Sequence, residues 1–206
     1  MDLDGTLTDP GLGITNSIIY ALEKFGIVPE SRESLYRFIG PPLMEEMQKV
    51  YGFTSKQSQQ ALVYYREYFA ERGLYENRVY DGIPGTLEKI RGSGRKLVVA
   101  TSKPEVYSQK ILDHFGLSRY FDFLAGSTMD SSRVQKSDVI AYALERRGID
   151  PAEALMVGDR ENDIRGAAEN GIDSLGVLYG YGSKEELINA GAGALAETPE
   201  DILNHI

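Results

Sequence analysis

The chain has 206 residues, 42% of them hydrophobic and 26% charged, with a formal net charge of −9 and no cysteine. That length suits one large domain, or one domain with a smaller insert. The acidic balance excludes an electrostatic footprint for a nucleic-acid backbone, and the lack of cysteine excludes disulfides, zinc–thiolate sites and thiol nucleophiles together.

Asp2-Leu3-Asp4-Gly5-Thr6 opens the chain. Two carboxylates crowded where a strand meets a loop repel each other, so the site wants a divalent cation between them and an anionic substrate beyond. Gly5 lets the backbone turn sharply and approach a ligand closely. Taken alone, the same residues make an ordinary surface turn. The N-terminus is neither basic nor apolar, and no apolar run approaches the roughly 20 residues of a membrane helix. A soluble, cytoplasmic protein is expected, with no signal peptide and no membrane or nucleic-acid partner.

Pro10-Gly11-Leu12-Gly13 reads as a flexible link, after which Ile14, Ile18, Leu22 and Phe25 recur at helical spacing up to Gly26. Pro29 and Ser31 lead into a second helical stretch, and Gly40-Pro41-Pro42 forms a rigid bend. Leu43 to Tyr51 is a short helix ended by Gly52. Thr54 caps a longer one whose apolar face carries Ala61, Leu62, Tyr65 and Phe69, closed by Gly73. Tyr64, Tyr65 and Tyr68 read as packing residues. This all-helical unit, residues 13–81, is small to hold a core alone.

From Asp81-Gly82-Ile83-Pro84-Gly85 the character changes. Strand-type runs at Lys96–Ala100, Phe121–Ala125, Ala154–Val157, Asp173–Tyr179 and Ala194–Ala196 alternate with helical patterns at Thr86–Arg91, Pro104–Phe115, Lys136–Arg147, Ile164–Glu169 and Glu185–Ala190. Alternation of this kind, with strands apolar throughout, predicts a doubly wound parallel sheet with helices on both faces. Residues 1–12 and 82–206 form this α/β core, and ligands of such sheets bind beyond the carboxyl ends of the strands. Thr101, Lys136 and Asp159 are therefore expected to converge. Each is bland by itself: a strand-end turn, a solvated charge, a helix cap. Lys103 is ambiguous, next to the site by sequence yet read as solvent-facing, and His114 and His205 read as structural or exposed.

In order, the chain presents Asp2-x-Asp4-Gly5-Thr6, then Thr101-Ser102 after an apolar strand, Lys136 opening a helix, and Gly158-Asp159-x-x-x-Asp163 after another strand. With that order and a helical insert after the first motif, the chain resembles the haloacid dehalogenase superfamily phosphatases. Gly40-Pro41-Pro42, Thr101-Ser102-Lys103-Pro104 and Val177-Leu178-Tyr179-Gly180-Tyr181-Gly182 make it similar to the phosphoglycolate phosphatase group. The resemblance implies a Rossmann-like core with an inserted helical cap, Mg²⁺ as cofactor and a small phosphorylated metabolite as substrate. It implies Asp2 as nucleophile, Asp4 as general acid and base, Thr101 as a hydrogen-bond donor to the phosphoryl group and Lys136 as its neutralising charge. Asp159 would hold Mg²⁺ with Asp2 and the backbone carbonyl of Asp4, and Asp163 would orient a metal-bound water or the lysine. Substrate contacts are expected at Ser102, Gly40, Pro41 and Arg37, with Lys49 and Arg66 as further cations. A 5′-nucleotidase or pyrophosphatase of the same superfamily is the alternative, and a monomer or homodimer fits either. Outside the class, a phospho-accepting signalling domain shares the acidic cluster, hydroxyl and lysine, but there the lysine comes last. An inactive binding module is the remaining rival. Finally, only Met1 precedes Asp2, whereas a strand needs about five residues to cross a sheet. A chain beginning before Met1 is expected, or a sheet closed by other means, because unpaired buried backbone groups cost roughly 1–3 kcal/mol each.

Overall fold

The computed structural model describes residues 1–206. In chain order the elements are β1 (Thr8–Asp9), α1 (Gly11–Glu23), α2 (Leu43–Tyr51), α3 (Ser55–Tyr68), β2 (Arg78–Val79), α4 (Ile83–Gly92), β3 (Val98–Pro104) and α5 (Glu105–His114). They continue with β4 (Phe123–Ser127), α6 (Lys136–Arg147), β5 (Leu155–Gly158), α7 (Glu161–Glu169), β6 (Asp173–Val177), α8 (Lys184–Ala190) and β7 (Ala194–Ala196). The chain divides into two units, Met1–Thr8 with Val79–Ile206, and Asp9–Arg78.

In the second unit, α1 buries Ile14, Ile18, Ala21 and Leu22, the helical spacing of an amphipathic face. The helix starts inside the segment expected to be a flexible link. Asp9 Oδ1 accepts from the Gly11 amide at 3.1 Å, which serves one of the donors that a helix start leaves unpaired. The crossings therefore fall at Thr8/Asp9 and Arg78/Val79, earlier than the Leu12/Gly13 and Asp81/Gly82 crossings expected. Residues 33–38 form a 3₁₀ helix, α2 ends on Gly52 in the left-handed region at φ 65°, and Thr54 with Gln57 closes a capping box on α3. Past Tyr68 the helix widens into a π turn, Phe69–Gly73. Phe25, Phe53, Tyr51 and Phe38 pack ring against ring, and Tyr64 meets Phe25 edge-on.

In the first unit β3 pairs with β4, and β5 with β6 and β6 with β7, all parallel. The two groups of strands are joined by the first two residues. Met1 N donates to Val98 O and Met1 O accepts from Ala100 N, while Asp2 N donates to Val157 O, each at 2.8 Å. Met1 thus pairs with β3 and Asp2 with β5, so backbone groups of both strands are satisfied at the level of the opening motif. The spatial order is β4, β3, Met1–Asp2, β5, β6, β7. On one face Ala100, Ala125 and Met156 pack against Val139, Ile140 and Ala143 of α6 and Ala167 of α7. The intervening strand positions Val99, Val157, Leu175 and Val177 are buried too. Successive strand residues point to opposite faces, so both faces are covered, as the unbroken apolar runs require.

Candidate active site

The site is assembled where β3 and β5 end on either side of Asp2. After Asp2, the Leu3 carbonyl accepts from the amides of Leu7 and Thr8, and the Gly5 amide donates to Thr8 O at 2.8 Å. Gly5 stands at φ 80°, where a side chain is strained, and a Cβ there would overlap the Asp159 carboxylate. This tight turn buries both Asp2 and Asp4.

Lys136 is the first residue of α6 and is only 5% exposed. Its ammonium donates to Ala100 O at 3.1 Å and lies 2.8 Å from both Asp2 Oδ1 and Asp163 Oδ1. Those two oxygens are held by charge rather than by aligned hydrogen bonds. Burial alone would lower the Lys136 affinity for its proton, but Asp163 and Asp2 outweigh it and raise that affinity well above the usual lysine range. The amine is therefore a fixed cation.

Asp159 follows β5 and is fully buried. Its Oδ2 accepts from the Tyr181 amide at 2.8 Å and its Oδ1 from the Thr6 hydroxyl at 3.3 Å. Asp163, in the first turn of α7, accepts from the Arg160 amide at 3.1 Å, and a Cβ on Gly158 would overlap its carboxylate. One carboxylate oxygen each from Asp2, Asp159 and Asp163 lie within 4.8 Å of one another. Burial, then Asp163 and Asp2, push the Asp159 carboxyl well above its usual range, and burial raises Asp163 against the opposing pull of Lys136. Three buried carboxylates with one buried ammonium are short of positive charge. An all-oxygen set of this kind fits a hard divalent cation such as Mg²⁺.

Asp4 turns its carboxylate elsewhere. Its Oδ2 lies 2.7 Å from Lys103 Nζ, while its buried Oδ1 has no hydrogen-bond partner. Burial raises its proton affinity more than Lys103 lowers it. Lys103 is only 8% exposed, which corrects the expectation that it faces solvent. The reason is that β3 does not stop at Ala100 but continues to Pro104, held by pairing to Ser127 of β4 past a register shift. Thr101 and Lys103 are thus both buried strand residues, and the Thr101 hydroxyl accepts from the Lys103 amide at 3.3 Å. Of the remaining expected positions, Ser102 is half-buried on β3. Gly40, Pro41 and Arg37 belong to the second unit, where Arg37 and Lys49 both pair with the buried Glu46, at 3.3 and 3.5 Å.

Tyr179 is a further neighbour of the site that the motif order does not mark. Its hydroxyl donates to Thr6 O at 3.0 Å, and burial, then Asp159, raise its phenol far above the usual range, so it stays a donor.

The fold and this arrangement define a hydrolase class. Residues 1–177 match the family model of haloacid dehalogenase-like hydrolases, and the chain belongs to that family, among its phosphatases. A 5′-nucleotidase of Pseudomonas aeruginosa is 46% identical over 186 residues, covering 90% of this chain and 84% of that one. The tyrosine-protein kinase PtkA of Mycobacterium tuberculosis is 41% identical over 181 residues, 88% of this chain but 62% of that longer one. A phosphoglycolate phosphatase of Aquifex aeolicus is 31% identical over 180 residues, covering 87% and 84%. Among solved structures, that of a predicted phosphatase from Clostridium acetobutylicum matches with a TM-score of 0.97 at 47% identity, covering 99% of this chain and 94% of that one. No helix is long and apolar enough to cross a membrane.

Proposed function

We propose that the protein is a cytoplasmic, Mg²⁺-dependent phosphomonoester hydrolase that turns over a small phosphorylated metabolite through an aspartyl-phosphate. The observation that carries this reading is the buried ammonium of Lys136 held 2.8 Å from both Asp2 and Asp163. It is a fixed positive charge beside a nucleophile, where phosphoryl oxygens gather charge in the transition state. Asp2 and Asp159, with the Asp4 carbonyl and Asp163 in support, would hold Mg²⁺, which would supply further positive charge for the phosphoryl group.

Asp2 attacks phosphorus with a carboxylate oxygen, and the bond to the ester oxygen breaks. Asp4 gives that oxygen its proton, and the alcohol leaves. The raised proton affinity of Asp4 suits a carboxyl that must arrive protonated. Asp4, now a carboxylate, takes a proton from water while the water oxygen attacks phosphorus. The Asp2–phosphorus bond breaks, phosphate departs, and both aspartates return to their starting states. Thr101 steadies the phosphoryl oxygens.

For the substrate, the identity to the 5′-nucleotidase supports a nucleoside 5′-monophosphate, and the motif resemblance supports phosphoglycolate. Substrate choice rests on Ser102 with Gly40, Pro41 and Arg37. Pro41→Ala is the cleaner probe, because Arg37 also balances buried Glu46. The test is a panel of nucleoside monophosphates, phosphoglycolate, pyrophosphate, sugar phosphates and an aryl phosphate with Mg²⁺. Turnover of one class well above the aryl phosphate is expected, and Pro41→Ala should change the ranking within the panel. No turnover of any ester would overturn the reading. A second reading is favoured by the kinase relative, namely that Asp2 hands its phosphoryl group to a tyrosine hydroxyl rather than to water. Labelled ATP with a tyrosine peptide separates the two, since only that reading leaves label on the peptide.

A further inference from the structure

The segment Tyr179-Gly180-Tyr181-Gly182 stands outside the chemistry assigned so far, yet it lies against the most buried carboxylate of the site. Its first hydroxyl donates to Thr6 O at 3.0 Å, and the Thr6 side chain in turn donates to Asp159 Oδ1 at 3.3 Å. Two residues along, the Tyr181 amide donates to Asp159 Oδ2 at 2.8 Å. The glycines make the approach possible. A Cβ on Gly180 would overlap Gly5 O and the Asp159 side chain, and one on Gly182 would overlap Asp159 O. Each oxygen of Asp159 thus has one fixed donor, either from the strap or from the loop the strap holds. A carboxylate oxygen has two lone pairs, so each keeps one for a ligand.

We infer that Tyr179 is a positioning residue, which fixes the metal-binding carboxylate of Asp159 by holding Thr6 in place. The inference rests on the Mg²⁺ reading above. Asp159 needs such restraint because Asp2 and Asp163 crowd it with charge of its own sign, and without fixed donors the carboxylate would swing away. Groups that orient a metal ligand in this manner typically govern affinity for the ion by about 10–100-fold. The Tyr179 ring makes a separate contact, meeting Tyr80 edge-on at 5.1 Å, and Tyr179→Phe leaves that contact in place.

Calorimetric titration of the metal-stripped protein with MgCl₂ tests the inference without relying on turnover. Tyr179→Phe is expected to weaken Mg²⁺ binding about 10-fold, and Thr6→Val at least as much. Because the two act in one chain, the double variant should be no worse than Thr6→Val alone. Turnover lost in Tyr179→Phe should return as Mg²⁺ is raised. A lower melting temperature with unchanged Mg²⁺ affinity in both single variants would show a merely structural strap and overturn the inference. So would a wild-type protein that takes up no Mg²⁺. A wild type that binds Mg²⁺ but hydrolyses no phosphoester would overturn only the proposed reaction, and the calorimetric comparison would still decide the role of Tyr179.

Discussion

Asp2 and Lys136 meet in the interior, and each is expensive to replace for a different reason. Asp2→Asn keeps the shape but offers an amide that cannot attack phosphorus. Turnover should fall by at least about 1000-fold with the far-UV circular dichroism unchanged, and retained turnover would rule out the aspartyl-phosphate. Lys103 invites a subtler variant. It is the group that pulls the Asp4 carboxyl down against burial, so Lys103→Met leaves Asp4 with a still higher proton affinity. If Asp4 is the general acid, the alkaline limb of the kcat/KM profile should move to higher pH and the overall rate should fall. A limb that stays in place would dissociate Lys103 from proton transfer. That Asp2, Lys136, Asp159 and Asp163 come together was legible because motif order is written in the chain. The burial of Lys103 was not, since Thr101-Ser102 reads as a strand-end turn and pairing of Pro104 with Ser127 keeps the strand going. Tyr179 acts through a backbone carbonyl, which leaves no mark on residue type at Thr6.

Among the elements, α2, α6 and β7 run where spacing and caps put them. Their ends are marked locally, by Gly52 and Gly148 in the left-handed region or by short apolar runs. The start of α1 is set locally, by the Asp9 carboxylate two residues away, whereas the far end of β3 is set by a tertiary partner, strand β4. Likewise the π turn Phe69–Gly73 has no period of its own in the sequence. The junction of β5 with α7 shows how an element end becomes part of the chemistry. Gly158 closes β5, and only its missing side chain leaves room for Asp163 in the first turn of α7. Gly158→Ala should push the Asp163 carboxylate off Lys136. A displacement near 1 Å costs on the order of 100-fold in rate, so kcat should fall by about that factor while the thermal transition stays cooperative. An unchanged kcat would mean that Asp163 has slack and that its contact with Lys136 is not needed.

At the scale of the molecule, alternation of strands and helices was enough to give the parallel core, and the run of helical spacing gave the second unit. What spacing could not give was how the β3 and β5 groups are joined, because that depends on the backbone of Met1 and Asp2, where side-chain pattern is silent. Joining them there brings three carboxylates into one buried place, and this has a consequence for stability. Asp159 and Asp163 hold protons above the usual 3.8 when folded, whereas in the unfolded chain they return to about 3.8. Between those limits the folded state carries more protons, so the contribution of these groups to stability falls as pH rises. Bound Mg²⁺ would take the place of the protons. Its stabilising effect should therefore be small at low pH, where protons compete, and should grow as pH rises through the same window. At about 100 times its dissociation constant the ion contributes about 2.7 kcal/mol, which is roughly 5–10 °C in melting temperature for a chain of this size. Thermal melts of the metal-stripped protein with and without MgCl₂, taken across pH, measure this directly. A shift that is absent, or equal at every pH, would mean that Asp159 and Asp163 do not hold the ion.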